Sequence, residues 1–302
     1  MKNIAQPTRI NFIAIVFGLL AIAPLQQAFA GESPFGWLYT AELTPEGAKE
    51  FEQIVDVQSK QTQGEYTNMR LRSEIEYGVT PKYQTSVYVN SRYIVADRNG
   101  IDGNSGGPNT DIPADFDRTN RYKMSRFESV SWENIYQISN PLVDPIGLAI
   151  YSETTLGPRN REQEFKLILQ KNFLDDRLIW VTNFVTAFEK NYRGSTVEQA
   201  TEFDTLTGIS YRFIDKWSAG LELRNHREFT GYGYGIANHS AWFFGPNVHY
   251  GSKKWWMTAA YRKQLPIAAG FQDDQRDVIR EDRIYGDEHT LHQIIVKVGI
   301  PF

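Results

Sequence analysis

From residue 48 to the C-terminus, hydrophobic and polar side chains take turns along the chain. Between Met69 and Val79, one side of an extended strand would carry Met69, Leu71, Ile75, Tyr77 and Val79. The other would carry Arg70, Arg72, Glu74 and Glu76, because successive side chains of a strand point to opposite faces. The next stretch sets Tyr83, Thr85, Val87, Val89 and Tyr93 against Gln84, Ser86, Asn90 and Arg92. Further on, Trp217, Ala219, Leu221 and Leu223 oppose Glu222, Arg224, His226 and Glu228. The final segment opposes Ile294, Val296, Val298, Ile300 and Phe302 to Gln293, Lys297 and Gly299. The same test predicts twelve strands, near 48–60, 66–78, 82–95, 122–138, 146–156, 161–173, 177–190, 198–213, 217–229, 240–250, 254–265 and 290–302. No convincing amphipathic helix lies between them.

The connections come in two alternating kinds. Long or variable ones occupy 61–65, 96–121, 157–160, 191–197, 230–239 and 266–289, the second being rich in Gly and Asp. Between them fall the short ones: 78–81, 140–145, 174–176, 214–216 and 251–254. Transmembrane β-barrels pair tight periplasmic turns with long extracellular loops in this way, whereas nothing obliges a soluble sandwich to do so. An even strand count also returns both chain ends to the short-turn side. Tyr77, Tyr83, Phe173, Phe213, Trp217, Tyr250, Trp255, Trp256 and Phe302 all sit at or beside that side, where an interfacial aromatic girdle belongs. The expected fold is therefore all-β, a transmembrane antiparallel barrel of about twelve strands.

Composition first suggests something else. The 302 residues have a mean hydropathy of −0.45, 41% hydrophobic residues, no Cys and a net charge of −4. These values exclude a helical multi-span membrane protein, which needs repeated runs of ~20 apolar residues. They also exclude thiolate chemistry and disulfide scaffolds, and the acidity argues against nucleic acid as a partner. The leader changes the average. Lys2 and Arg9 precede an apolar run from Phe12 to Ala23, and Ala28 and Ala30 provide the small residues of a cleavage site, the pattern of a secretory signal peptide over 1–30. Loss of Lys2 and Arg9 takes the charge from −4 to −6. What remains is expected to comprise a short periplasmic N-terminal segment at 31–47 and a barrel at 48–302.

The last nine residues, from Ile294 to Phe302, resemble the final strand of Gram-negative outer-membrane proteins, which ends in a Phe read by the barrel-assembly machinery. Pro301 departs from that pattern by removing one backbone donor. Gly36-Trp37-Leu38-Tyr39-Thr40-Ala41-Glu42 to Phe51, and Gly245-Pro246-Asn247-Val248-His249-Tyr250, are similar to an uncharacterised family of exported barrels. The resemblance implies a cell outer-membrane location, assembly through Phe302 and lipid as the surrounding partner. It implies no activity.

Candidate chemistry lies on the lumen face. Arg70, Arg72, Glu74 and Glu76 on one strand, Glu222 and Arg224 on another, and Asn247, His249, Lys297 and Glu153 elsewhere are expected to point inward. Such residues can select solutes by sign and size, or pair with one another and fill the bore. The leading expectation is a passive or weakly selective channel for a small solute. The alternative is a pore-less structural or surface-interaction barrel acting through loops 96–121 and 266–289. A barrel-embedded lipid hydrolase at Asn238-His239-Ser240 ranks lower, since adjacent strand residues face opposite ways. The carboxylates at 273–282 near His289 and His292 lack Ca²⁺-loop spacing and read as a solvated acidic loop. No metal or cofactor is expected.

Overall fold

The structure, a computed structural model, describes residues 33–105, 112–113, 115–193, 195–286 and 289–302. The expected signal peptide, with Ala28 and Ala30, lies outside the described residues. Twelve long strands appear: β1 Lys49–Ser59, β2 Glu65–Thr80, β3 Tyr83–Asp97, β4 Tyr122–Ser139, β5 Gly147–Leu156, β6 Asn160–Phe173, β7 Leu178–Arg193, β8 Thr196–Ile214, β9 Trp217–Thr230, β10 Ala237–Gly251, β11 Trp256–Gln264 and β15 His292–Pro301. The last connection also holds β12 Ala269–Gly270, the one-turn helix α1 Asp273–Arg276, β13 Ile279–Arg280 and β14 Arg283–Ile284. The twelve long strands are the twelve expected from the alternation.

Each long strand pairs antiparallel with its neighbour in the chain, and β15 bonds to both β11 and β1. The sheet therefore closes on itself and leaves no edge strand, a requirement for backbone that crosses lipid. Glu50 lies opposite Pro301 and Ser59 opposite His292 along the closing seam. Pro301 sits at the end of that seam, where its missing donor costs least. The tight turn between β6 and β7 places Leu174, Asp175 and Asp176 at φ of 58°, 53° and 59°. Three successive left-handed residues reverse the chain there without a long loop.

The two faces are inverted relative to a soluble protein. Ile75, Val89, Trp132, Ile150, Phe165, Ile209, Leu221, Phe244 and Ile300 are exposed on the outside. Glu74, Gln84, Glu133, Gln170, Glu222 and Lys297 are buried on the inside. An apolar belt around a polar interior is stable only in lipid, so the barrel spans a membrane. Most of the expected girdle aromatics are exposed or half-buried at the short-turn end. Trp256 departs from that expectation. It is buried inside the barrel and donates its indole N–H to Glu50 Oε1 at 2.8 Å, because Trp255 and Trp256 are adjacent and cannot both face lipid.

The segment expected as a periplasmic lead-in runs inside the barrel over residues 33–44, and Pro45, Glu46 and Gly47 are exposed at the short-turn end. Phe35 and Leu38 are buried against Val181, Val185 and Leu206, and Ala41 and Leu43 against Ile135, Ala149 and Ile168. Burying a Phe or Leu side chain stabilises this seat by about 1.5–3 kcal/mol each. Close approach also depends on Gly36, where a Cβ would meet Ala260 Cβ and Ile295 Cγ2 at 2.6 Å. The segment enters beside Thr258, reaches mid-lumen near Trp37, and returns past Glu76 and Gln84 to β1.

Candidate functional site: ionisable side chains around an inner segment

Side chains of the wall hold the inner segment as neighbouring strands would. Glu222 accepts the amides of Gly36 at 2.6 Å and Trp37 at 3.0 Å. Asn183 accepts from Tyr39 N at 2.7 Å and donates to Tyr39 O at 2.9 Å. Gln170 accepts from Ala41 N at 2.8 Å, Gln137 donates to Ala41 O at 2.6 Å, and Gln84 accepts from Thr44 N at 2.8 Å. Asn and Gln provide both an acceptor and donors, so they can satisfy buried backbone groups that have no ladder partner.

Around this segment lies a network of ionisable side chains. Glu50, Glu52, Glu74, Glu76, Glu133 and Glu153 are all buried. Tyr39 and Tyr151 both donate to Glu133 Oε2 at 3.0 Å. The Arg72 guanidinium lies 4.0 Å from the Tyr88 ring centroid and donates to Tyr39 Oη at 3.3 Å. The Lys166 ammonium stands 3.8 Å from the Tyr151 ring and 3.9 Å from that of Tyr39, distances at which a cation is attracted to the ring face. Glu52, Glu74, Glu76, Glu133, Lys297 and Tyr39 line a cavity of about 40 Å³, room for water between charges. Carboxylates outnumber cations in this half of the lumen.

The long-loop end is covered as well. Val278 and Ile284, from the connection after β11, are buried against Ala241 and Phe243, with Ile101 of the 96–121 loop beside them. Gln264 accepts from Ile284 N at 2.7 Å and donates to its carbonyl at 2.9 Å. Asn99 donates to Gln61 Oε1 at 2.6 Å and Gln61 donates to His289 O at 3.4 Å, so Gln61 of the 61–65 connection bridges the two longest loops. Below them Arg224 and Asp204 form an ion pair, and Asp204 Oδ1 lies 2.8 Å from His226 Nδ1. In the outer loop, the amide and side chain of Asn104 hold the Asp102 carboxyl below the usual carboxylate range. Thr119 does the same for Asp117. The solvated carboxylates of the last connection pair locally, as in Arg276–Asp273 at 2.9 Å.

A family model described as a family of unknown function (DUF6662) matches residues 27–302. The chain belongs to that family. No curated protein matches it. Among solved structures it is similar to the COG4313 outer membrane channel from Pseudomonas putida F1, with 10% identity and a TM-score of 0.57 over 87% of this chain and 98% of that one. It is also similar to the β domain of the Bordetella autotransporter Brka, with 14% identity and a TM-score of 0.50 over 85% of this chain and 100% of that one. A KdgM porin aligns at 11% identity and a TM-score of 0.48, over 84% of this chain and 99% of that one. The first two likenesses concern fold: this DUF6662 member has the fold of an outer-membrane β-barrel.

Within this DUF6662 barrel, the expected lumen residues are spread over several places. Arg72, Glu74, Glu76 and Lys297 belong to the charged network. Glu222 and Asn247, joined at 2.9 Å, anchor the inner segment at Gly36. His249 donates to Thr258 Oγ1 at 2.8 Å, whose hydroxyl donates to Ser33 O. Arg224 stands under the mouth, and Arg70 shares the inward register of β2 but is solvent-exposed. His239 and Ser240 point to different partners, Gln275 and Asn225. Missing from the expected set were Glu52, Glu133, Lys166 and Asp204. Each occupies an inward position of its strand, so charge at the correct parity was the signal. Asn183 and Gln170 carried no such signal.

Proposed function

We propose that this protein is an outer-membrane channel for small solutes, closed at rest by its own N-terminal segment. The observation that supports this reading is the interior of the short-turn half. Six buried carboxylates, a water-sized cavity and an inner segment tied by side-chain hydrogen bonds lie where a purely mechanical barrel could be filled with apolar residues. Ionisable groups inside a membrane-spanning structure are costly and mark solute or ion paths. Movement of residues 33–47 would expose a bore rich in carboxylates, which favours cations. The exposed Phe302 ring at the end of the closing strand serves as the contact for the barrel-assembly machinery.

Planar-bilayer recording tests the reading. The full chain is expected to be mostly silent, and deletion of 33–46 should produce stepwise, cation-preferring conductance. Arg70→Glu with Arg72→Glu in the deleted background should strengthen that preference. A deleted barrel that shows heat-modifiable migration, and so is folded, but stays silent would overturn it. That result would favour the pore-less barrel, a reading supported by the two long loops packed over the mouth.

A further inference from the structure

Three of the five histidines meet beneath the mouth, although they come from three different parts of the chain. His226 is on β9, His239 on β10, and His289 at the end of the connection before β15. All three are buried, and one ligand nitrogen from each lies within 4.8 Å of the others. His239 Nε2 and His289 Nε2 are 3.1 Å apart. We propose that the barrel mouth binds a divalent transition-metal ion of the zinc class through His226, His239 and His289.

The geometry and its surroundings agree with that chemistry. Two imidazole nitrogens at about 2.0–2.1 Å from a tetrahedral ion stand roughly 3.3 Å apart, close to the His239–His289 separation. The opposite nitrogen of His239 is held as in metal-bound rings. His239 Nδ1 donates to Gln275 Oε1 at 2.8 Å, leaving its Nε2 lone pair directed at His289. His226 Nδ1 faces the Asp204 carboxylate at 2.8 Å, a carboxylate–histidine pair that raises ligand basicity. Glu228 Oε2 lies 4.0 Å from His239 Nε2, and its other oxygen accepts from Asn238 at 2.8 Å. It is placed to become the fourth ligand. Arg224 places Nη2 2.9 Å from His226 Nδ1. Its charge is balanced by Asp204, and Glu202 and Glu228 leave the pocket acidic. Three imidazoles with a carboxylate suit Zn²⁺, Ni²⁺ or Cu²⁺ and not Ca²⁺ or Mg²⁺.

Such an ion would join the last connection to the barrel wall. His289 belongs to that connection, and Gln275, which orients His239, is on α1 within it. The test uses untagged, detergent-folded protein stripped with chelator, titrated with Zn²⁺ by calorimetry. One ion per chain is expected. His289→Ala, which alters only the connection, should weaken binding at least tenfold, as should His239→Ala. His249→Ala and His292→Ala should leave it unchanged. Zinc should also slow tryptic cleavage at Arg276 and Arg280 in the wild type and not in the His289 variant. Cobalt substitution should give the visible absorption of a tetrahedral site. Absence of Zn²⁺ binding at tens of micromolar, or binding that survives the His239 and His289 changes, would overturn the proposal. Heat-modifiable migration confirms that each variant is folded.

Discussion

Glu222 shows how one lumen residue shapes the protein. Its two oxygens serve the amides of Gly36 and Trp37 and also receive Asn247. Glu222→Ala removes the acceptor from two buried amides, at a cost of about 1–3 kcal/mol each. The chain has no Cys, so a single Ala41→Cys provides a clean probe of the inner segment. Its labelling by a water-soluble thiol reagent should be slow, and at least tenfold faster once Glu222→Ala is added. Gly36→Val should have a similar effect, since its side chain would collide with Ala260 and Ile295. At this scale legibility is uneven. Charge and strand parity place Glu74, Glu76, Arg224 and Lys297 in the lumen. Parity also separates Trp255 from Trp256, although aromatic content alone grouped them.

The elements divide by whether their partners are local. Each β-strand needs only an apolar outer row, and that row is present in its own sequence. Val89, exposed in β3, is one such position. Val89→Arg should destabilise the barrel by about 2–4 kcal/mol if the residue sits near the midplane, measured by urea unfolding from lipid vesicles. Val89→Leu should be nearly neutral. The inner segment at 33–44 has no such signature. It forms no ladder, and its partners are Asn183, Gln170 and Glu222, which are 144, 129 and 186 residues away. An irregular stretch of this kind is stable in a membrane protein only when protein surrounds it. Its sequence therefore reads as a free lead-in until the barrel is built around it.

For the whole molecule, closure and the inverted faces determine behaviour. The exposed apolar belt predicts that the protein is released from membranes by detergent and not by high salt, checked by fractionation and immunoblotting. Release by salt alone would contradict a spanning barrel. If the bore opens, its carboxylate excess predicts a cation preference that weakens as ionic strength rises, since the Debye length falls from ~10 Å at 0.1 M to ~3 Å at 1 M. Reversal potentials at several salt concentrations measure this.

The sequence by itself determined the number of strands, which face of each meets lipid, and which connections are short, because these follow from a two-residue period and local turn chemistry. Only the tertiary structure decided that the lumen is filled, that the N-terminal segment fills it, and that three distant histidines share one pocket. Those features depend on which strands curve round to face each other across the bore. That is a property of barrel closure and of contacts between residues far apart in the chain, and no local periodicity carries it.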